Sequence, residues 1–295
     1  MAKIISILSN KGGDGKSTTC LNIAYGLCQK GHKVLFVDND PQSNSTSILM
    51  GLSNDLSEQS ADFYQDRYAK YLEAGQDTFE AAFHALEDFV NKNEFQQDIH
   101  DVIEGKANIE DTLVHTRYEN MDLLPASHKL AASDLKLKSK LTGALNVLRK
   151  SLNKVENQYD YIIIDNQPFE NSLTLNSLTA CHKPGDLVII PTKIDRGGLE
   201  GTYSTLNSCY SILEEVDLDF DVKLLITMQN RNKVDQKWVE ALKNTFQDAV
   251  FDTVIRYQAK PVSDSSLHQK PVLEMYPKSN VAMDYQALVD GLITL

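Results

Sequence analysis

Eleven residues near the start of the chain, Ser9-Asn10-Lys11-Gly12-Gly13-Asp14-Gly15-Lys16-Ser17-Thr18-Thr19, combine three glycines, two lysines and a run of hydroxyls. Glycines let a backbone curl until its N–H groups converge, and converging N–H groups bind anions. A lysine directly after the last glycine can reach the β- and γ-phosphates of a nucleotide, and the serine after it can ligate Mg²⁺. Gly12, Gly13, Asp14, Gly15, Lys16, Ser17 and Thr18 are therefore the candidate phosphate-binding residues. The motif in its common form has a glycine five residues before Gly15; here that position is Asn10, and a second lysine, Lys11, precedes the glycines.

This chemistry needs a strand before the loop and a helix after it, and both are legible. Ile4, Ile5, Ile7 and Leu8 form an apolar run ahead of the loop, and Leu21, Ile23, Ala24 and Leu27 repeat at helical spacing behind it. A second buried-type strand, Val34-Leu35-Phe36-Val37, ends in Asp38-Asn39-Asp40-Pro41-Gln42. A third, Tyr161-Ile162-Ile163-Ile164, ends in Asp165. Carboxylates at the C-terminal ends of such strands stand where open α/β sheets bind ligands. Asp165 is placed to hold Mg²⁺ through water. Further strands are expected at Met121–Leu124, Leu187–Pro191 and Leu224–Met228, with helical patterns between them. That alternation implies a mostly parallel sheet with helices on both faces, a P-loop NTPase-like α/β fold.

With its early lysine, the Lys-Gly-Gly-x-Gly-Lys-Ser form resembles the deviant Walker A loop of the ParA/MinD group of ATPases. Asp38-Asn39-Asp40-Pro41-Gln42 is similar to the same group, and so is the order of segments through the C-terminal part. The resemblance covers all but roughly residues 53–100. It departs at Asp14, where relatives have a small or apolar residue, and at Gln167, where they more often have proline. The resemblance implies an Mg²⁺-dependent ATPase in which Ser17, Asp38 and Asp165 serve the metal and Asp40 positions the attacking water. It implies that Lys11 reaches the nucleotide of a partner subunit, and that Asn230, Arg231 and Pro277 contact the base. It further implies an ATP-dependent homodimer, non-specific binding to duplex DNA, stimulation by a ParB-like centromere-binding protein, and a cytoplasmic, nucleoid-associated location. Asp14 is expected to pair with a cation, Lys11 or a lysine of the other subunit.

Composition bounds the alternatives. The net charge of −12 is all accounted for between Asn54 and Asp122, where 17 acidic residues face five basic ones. The remaining body is neutral, with a modest basic excess between Lys223 and Lys278, so DNA binding by a local patch remains open. Arg231, Lys233, Lys237, Arg256 and Lys260 are the candidate contacts. Four scattered cysteines without a C-x-x-C pair argue against an iron–sulfur carrier. No run is long enough to span a membrane. The last twelve residues carry no lysine or arginine, which argues against a MinD-like membrane-surface regulator. The remaining alternative is an enzyme of small-molecule or metal metabolism, of the ligase or cluster-carrier type, using the same loop.

The chain reads as one ATPase domain, residues 1–295, with an acidic helical insertion at about 55–100. Within it Tyr64, Tyr68 and Tyr71 repeat at helical spacing up to Gly75. Phe79, Phe83, Leu86 and Val90 repeat in a second helix; the pair is expected to form an aromatic-lined hairpin packed on the main domain, with a dedicated partner-binding lobe as the alternative.

Overall fold

A computed structural model describes residues 1–52, 58–91, 95–139, 144–168, 171–216 and 218–295. The ends of the expected insertion, residues 55–57 and 92–94, lie outside the described residues.

Seven strands form one sheet: β1 (Lys3–Ile7), β2 (Val34–Asn39), β3 (Val114–His115), β4 (Met121–Leu124), β5 (Tyr161–Asn166), β6 (Leu187–Lys193) and β7 (Asp221–Thr227). Their order across the sheet is β3-β4-β2-β5-β1-β6-β7. All neighbours run parallel except β3, a two-residue edge strand antiparallel to β4. No run in the sequence announced β3, because two residues are too few to show a period. The central strands β1, β2 and β5 are almost wholly buried. Strands buried on both faces read as continuous apolar runs, which is why Ile162-Ile163-Ile164 and Val34-Leu35-Phe36-Val37 were visible without alternation.

Two apolar layers cover the sheet. One contains Ile4, Leu35, Val37, Ile162 and Ile164, packed with Leu130, Leu148 and Leu173. The other contains Ile5, Ile7, Phe36 and Ile163, packed with Ile23 and Leu27 of α1 (Lys16–Gln29) and with Tyr285, Leu288 and Val289 of the C-terminal helix Asn280–Thr294. Strand register, more than packing, positions the chemistry. Ile7 lies opposite Asp165 on β5, and Asp38 on β2 lies opposite Asp165 from the other side. The strand that feeds the glycine loop and the two that end in carboxylates therefore finish at one level.

Helix α2 (Asn44–Met50) follows the Asp38–Gln42 segment. The chain divides into two compact units, residues 1–50 with 97–295, and Gly51–Gln96. The second unit holds α3 (Glu58–Glu73) and α4 (Thr78–Asn91). Gly75, at φ +89°, turns the chain between them, and the Asp77 carboxylate accepts from the backbone N–H groups of Phe79 and Glu80 to start α4. The hairpin forms as its spacing predicted. Its apolar stripe does not take the packed role expected of it: Phe79, Phe83, Leu86 and Val90 are all exposed.

Candidate phosphate-binding and carboxylate site

Between β1 and α1 the loop turns on two glycines in the left-handed region, Gly13 at φ 87° and Gly15 at φ 86°. Side chains rarely adopt that backbone, so the glycines are what allow the curl. Lys16 opens α1, is buried, and donates from Nζ to the Lys11 carbonyl at 2.9 Å. It thus arches back over the loop that it belongs to. Burial pulls its ammonium below the ordinary lysine value, opposed chiefly by the carboxylates of Asp165 and Asp14. An anion in the loop would add to that opposition.

Asn10 explains its own departure from glycine. Its backbone N–H donates to Thr205 Oγ1 at 3.0 Å and its side-chain amide to Ser204 Oγ at 2.9 Å. Those hydroxyls belong to the helix Arg196–Val216, so the loop is tied to that helix. The sequence held no signal for this tie.

Asp38 and Asp165 are both buried. The Asp38 carboxylate accepts from Thr46 through its backbone N–H and its hydroxyl, each at 2.7 Å, and from the Asp40 N–H at 3.2 Å. Asp165 accepts from Ser45 Oγ at 2.6 Å, from Cys20 Sγ at 3.4 Å, and from the Ser17 hydroxyl. Burial pushes both carboxyl groups up from the ordinary range, and for Asp38 the neighbouring Asp165 adds to it. Two buried acids side by side, beside a helix N-terminal serine, suit a divalent cation. The Ser17 hydroxyl would be a hard oxygen ligand, with Asp165 acting through water, and phosphate oxygens would complete the shell. Among the described residues no cluster of three or more His, Cys, Asp or Glu side chains could hold a metal ion by itself. Asp40 is partly exposed at the mouth, its carboxylate accepting from the Gln42 N–H at 2.9 Å. Ser45 and Thr46 were not singled out from the sequence; their only signal is a pair of hydroxyls beyond the Asp-Pro turn.

Lys11 does not face its own loop. Its Nζ lies 3.0 Å from Asp195 Oδ1, and Asp195 also pairs with Lys193 at 2.7 Å and accepts from the Gly198 N–H at 2.7 Å. Lys193, Gly198 and Lys11 together hold the Asp195 carboxyl well below the usual range. The lysine lies along a floor of glycines. A Cβ on Gly197 would sit 2.8 Å from Lys11 Nζ, and one on Gly201 would sit 3.1 Å from Lys11 Cβ. A helical glycine costs about 1 kcal/mol relative to alanine, and here close approach of the lysine is the compensating gain. The Gly-Gly-x-x-Gly run at the start of that helix was the available signal for Asp195 and its neighbours.

Asp14 is buried under the loop rather than paired with Lys11 as expected. Its Oδ2 accepts from Ser9 Oγ at 2.9 Å, while Oδ1 has no partner. Burial raises its carboxyl group, against Ser9, Lys11 and Lys16.

The expected base contacts are not brought together. Asn230 donates through its backbone and its amide to Asp235, at the start of the helix Lys233–Phe246; Arg231 is exposed; Pro277 lines a separate cavity with Tyr25 and Leu273. The cavity that adjoins the loop, of about 310 Å³, is lined by Gly15, Thr18, Met228, Tyr257, Gln258 and Val262 among others. Arg256 also lines it, with its guanidinium held by Asp284 at 2.6 Å. That pairing removes Arg256 from the set of free cations proposed for DNA.

Loop, carboxylates and sheet order together define a P-loop nucleotide-binding protein. Residues 2–224 match the family described as AAA domain. The sporulation initiation inhibitor protein Soj of Bacillus subtilis is 30% identical over 287 residues, covering 97% of this chain and 96% of Soj. The chromosome-partitioning ATPase Soj of Treponema pallidum is 27% identical, covering 99% and 98%. A structure of cobyrinic acid a,c-diamide synthase from Mycobacterium smegmatis, with a bound ATP analogue and magnesium, superposes with a TM-score of 0.71 at 24% identity, covering 99% of this chain and 95% of the synthase. The chain belongs to the ParA/MinD family of deviant Walker A ATPases.

Asp14 gives a test of the site without nucleotide. A buried acid whose folded pKa is raised weakens the fold as pH climbs from the unfolded carboxylate value, near 4, through the folded one. Asp14→Asn should therefore stabilise the nucleotide-free protein by about 1 kcal/mol at pH 8, with the gain shrinking towards pH 4, about the unfolded carboxylate value. Urea unfolding at the two pH values measures it; a gain that does not shrink would show that Asp14 is not the titrating group.

Proposed function

We propose that this chain is an ATP-hydrolysing partition protein that dimerises around ATP, binds duplex DNA without sequence preference in that state, and is released by a ParB-like partner. The observation that carries this reading is Lys11. It adds a second cation to a complete phosphate loop and is kept off that loop by Asp195. A synthase that activates a small substrate has no need of it, and the fold, shared with the synthase above, does not separate the two classes.

In this reading the loop N–H groups and Lys16 hold the β- and γ-phosphates. Ser17 and Asp165 would hold Mg²⁺, with Asp38 behind them. When bound, the ion would neutralise charge on the transferred phosphoryl group. Asp40, at the mouth, orients the attacking water. Lys11 leaves Asp195 for the γ-phosphate of the partner subunit, where it acts as an arginine finger does. The nucleoside takes the cavity beside Thr18, Met228 and Tyr257. Asn230 and Arg231 follow Met228 in the chain, and Pro277 stands apart. A membrane role is disfavoured because the C-terminal helix turns Val281, Tyr285, Leu288 and Leu292 into the core, and among the described residues no helix is long and apolar enough to cross a membrane.

Four outcomes test this. Lys16→Ala should lose about 1.5–3 kcal/mol of nucleotide binding, the worth of a charge-assisted contact, or roughly 10–150-fold in Kd. Lys11→Ala should bind ADP as the wild type does yet fail to dimerise with ATP or turn it over. Normal hydrolysis by Lys11→Ala would refute the cross-subunit role.

Asp40→Ala should retain ATP while losing turnover by roughly 100-fold or more, the scale of a lost proton-transfer or positioning group. Isothermal titration alongside phosphate release measures both, and loss of ATP binding would assign Asp40 to the nucleotide cradle instead.

DNA affinity should require ATP and fall with salt at about −0.9 log units per log unit for each phosphate contact. The exposed residues Arg231, Lys233, Lys237 and Lys260 are the contacts proposed. Equal affinity with ADP and ATP would return the small-molecule enzyme to first place.

A further inference from the structure

The α3–α4 hairpin is built with its large apolar side chains outward. Tyr71 of α3 donates its hydroxyl to Asp88 at 3.0 Å and meets the His84 ring edge-on at 5.4 Å, so the His84–Asp88 side of α4 faces α3. Ala81 and Ala85 lie towards that side and are buried. Phe79, Phe83, Leu86 and Val90 follow at i, i+4, i+7 and i+11 on the opposite side, 80, 56, 52 and 57% exposed. A contiguous row of four marks an interaction surface rather than scattered exposure. Glu80 and Glu87 border the row, and neither is in an ion pair among the described residues. Residues 58–91 carry eight carboxylates against two cations.

A second open apolar surface lies between the helices Arg196–Val216 and Lys233–Phe246. It is a groove of about 620 Å³ lined by Ile194, Leu199, Tyr203, Val234 and Trp238. Tyr203 is 73% exposed, Val234 63% and Trp238 45%. Three charges at its rim are already compensated: Asp195 by Lys11 and Lys193, and Arg196 with Glu200 by each other. Lys233 and Lys237, exposed along the helix that carries Val234 and Trp238, are in no ion pair among the described residues.

We propose that α4 of one copy of this chain docks into this groove on a second copy, its row of Phe79 to Val90 over Tyr203 and Trp238, its Glu80 and Glu87 against Lys233 and Lys237. This is helix-in-groove recognition. The charges select the occupant. The acidic hairpin is repelled by anionic lipid and by DNA, and α4 against α4 brings glutamates together with no cation, whereas the groove supplies lysines. The two surfaces differ, so the contact is heterologous and copies add head to tail unless the geometry closes on itself. It requires neither nucleotide nor the ATPase reading. It does cover two of the lysines proposed for DNA, so self-association and DNA binding compete.

The test uses the full chain without nucleotide or DNA. Trp238 is the only tryptophan, and its emission should shift to the blue as protein concentration rises, in step with association by sedimentation velocity. Phe83→Glu with Leu86→Glu, and separately Trp238→Glu, should each raise the dissociation constant for self-association at least about tenfold, with unchanged far-UV circular dichroism. Each variant keeps one half of the contact, so an equimolar mixture of the two should form 1:1 pairs that grow no further. Self-association persisting in Trp238→Glu would replace the proposal with an α4–α4 contact. Monomeric wild type at high micromolar concentration, or blue emission independent of concentration, would overturn it.

Discussion

Two carboxylates buried side by side govern this molecule. Asp38 and Asp165 end adjacent strands in register, out of water, and an ionised pair in such a place is sustained only by what surrounds it. The surroundings are specific. Thr46 gives Asp38 two short hydrogen bonds, and Ser45, Ser17 and Cys20 all serve Asp165. Lys16 lies within electrostatic reach. Helix α2 is therefore anchored to the site by the acids themselves. Thr46 extends the chain of contacts by accepting from the Ala126 N–H at 3.0 Å. A cation arriving among these groups would relieve the repulsion and change what holds α2 in place.

The same economy of charge explains the resting position of Lys11. A second ammonium turned into the loop beside Lys16 would face another cation. Asp195 offers it a carboxylate, and Gly197 and Gly201 leave the space. The pair is about one-third exposed on each side, so its net worth is small, of order 0–1 kcal/mol.

What was legible in the sequence divides along physical lines. The phosphate loop, Asp38, Asp165 and six of the seven strands were visible because local backbone needs and burial on both faces write themselves into consecutive residues. Asp195, the Asn10 tie, and the Met228–Tyr257 cavity are encounters between segments far apart in the chain, and a single sequence does not record them. Pro277 shows the cost of extending a resemblance beyond its motifs: it lines a separate cavity from the one beside Gly15 and Thr18. The row on α4 is a third kind of case. Its spacing marks a helix correctly, but periodicity reports only that a helix has an apolar side, and not that the side is covered within one chain.

That distinction bears on why the hairpin sits where it does. It enters the chain directly after α2, the helix whose Ser45 and Thr46 hold the two buried acids. A surface segment of about 40 residues could be inserted at many loops at little entropic cost. The described part of α3 begins eight residues after Met50, the last residue of the helix that meets both acids. The acids hold only the first turn of α2, through Ser45 and Thr46, and the insertion leaves from the other end of that helix.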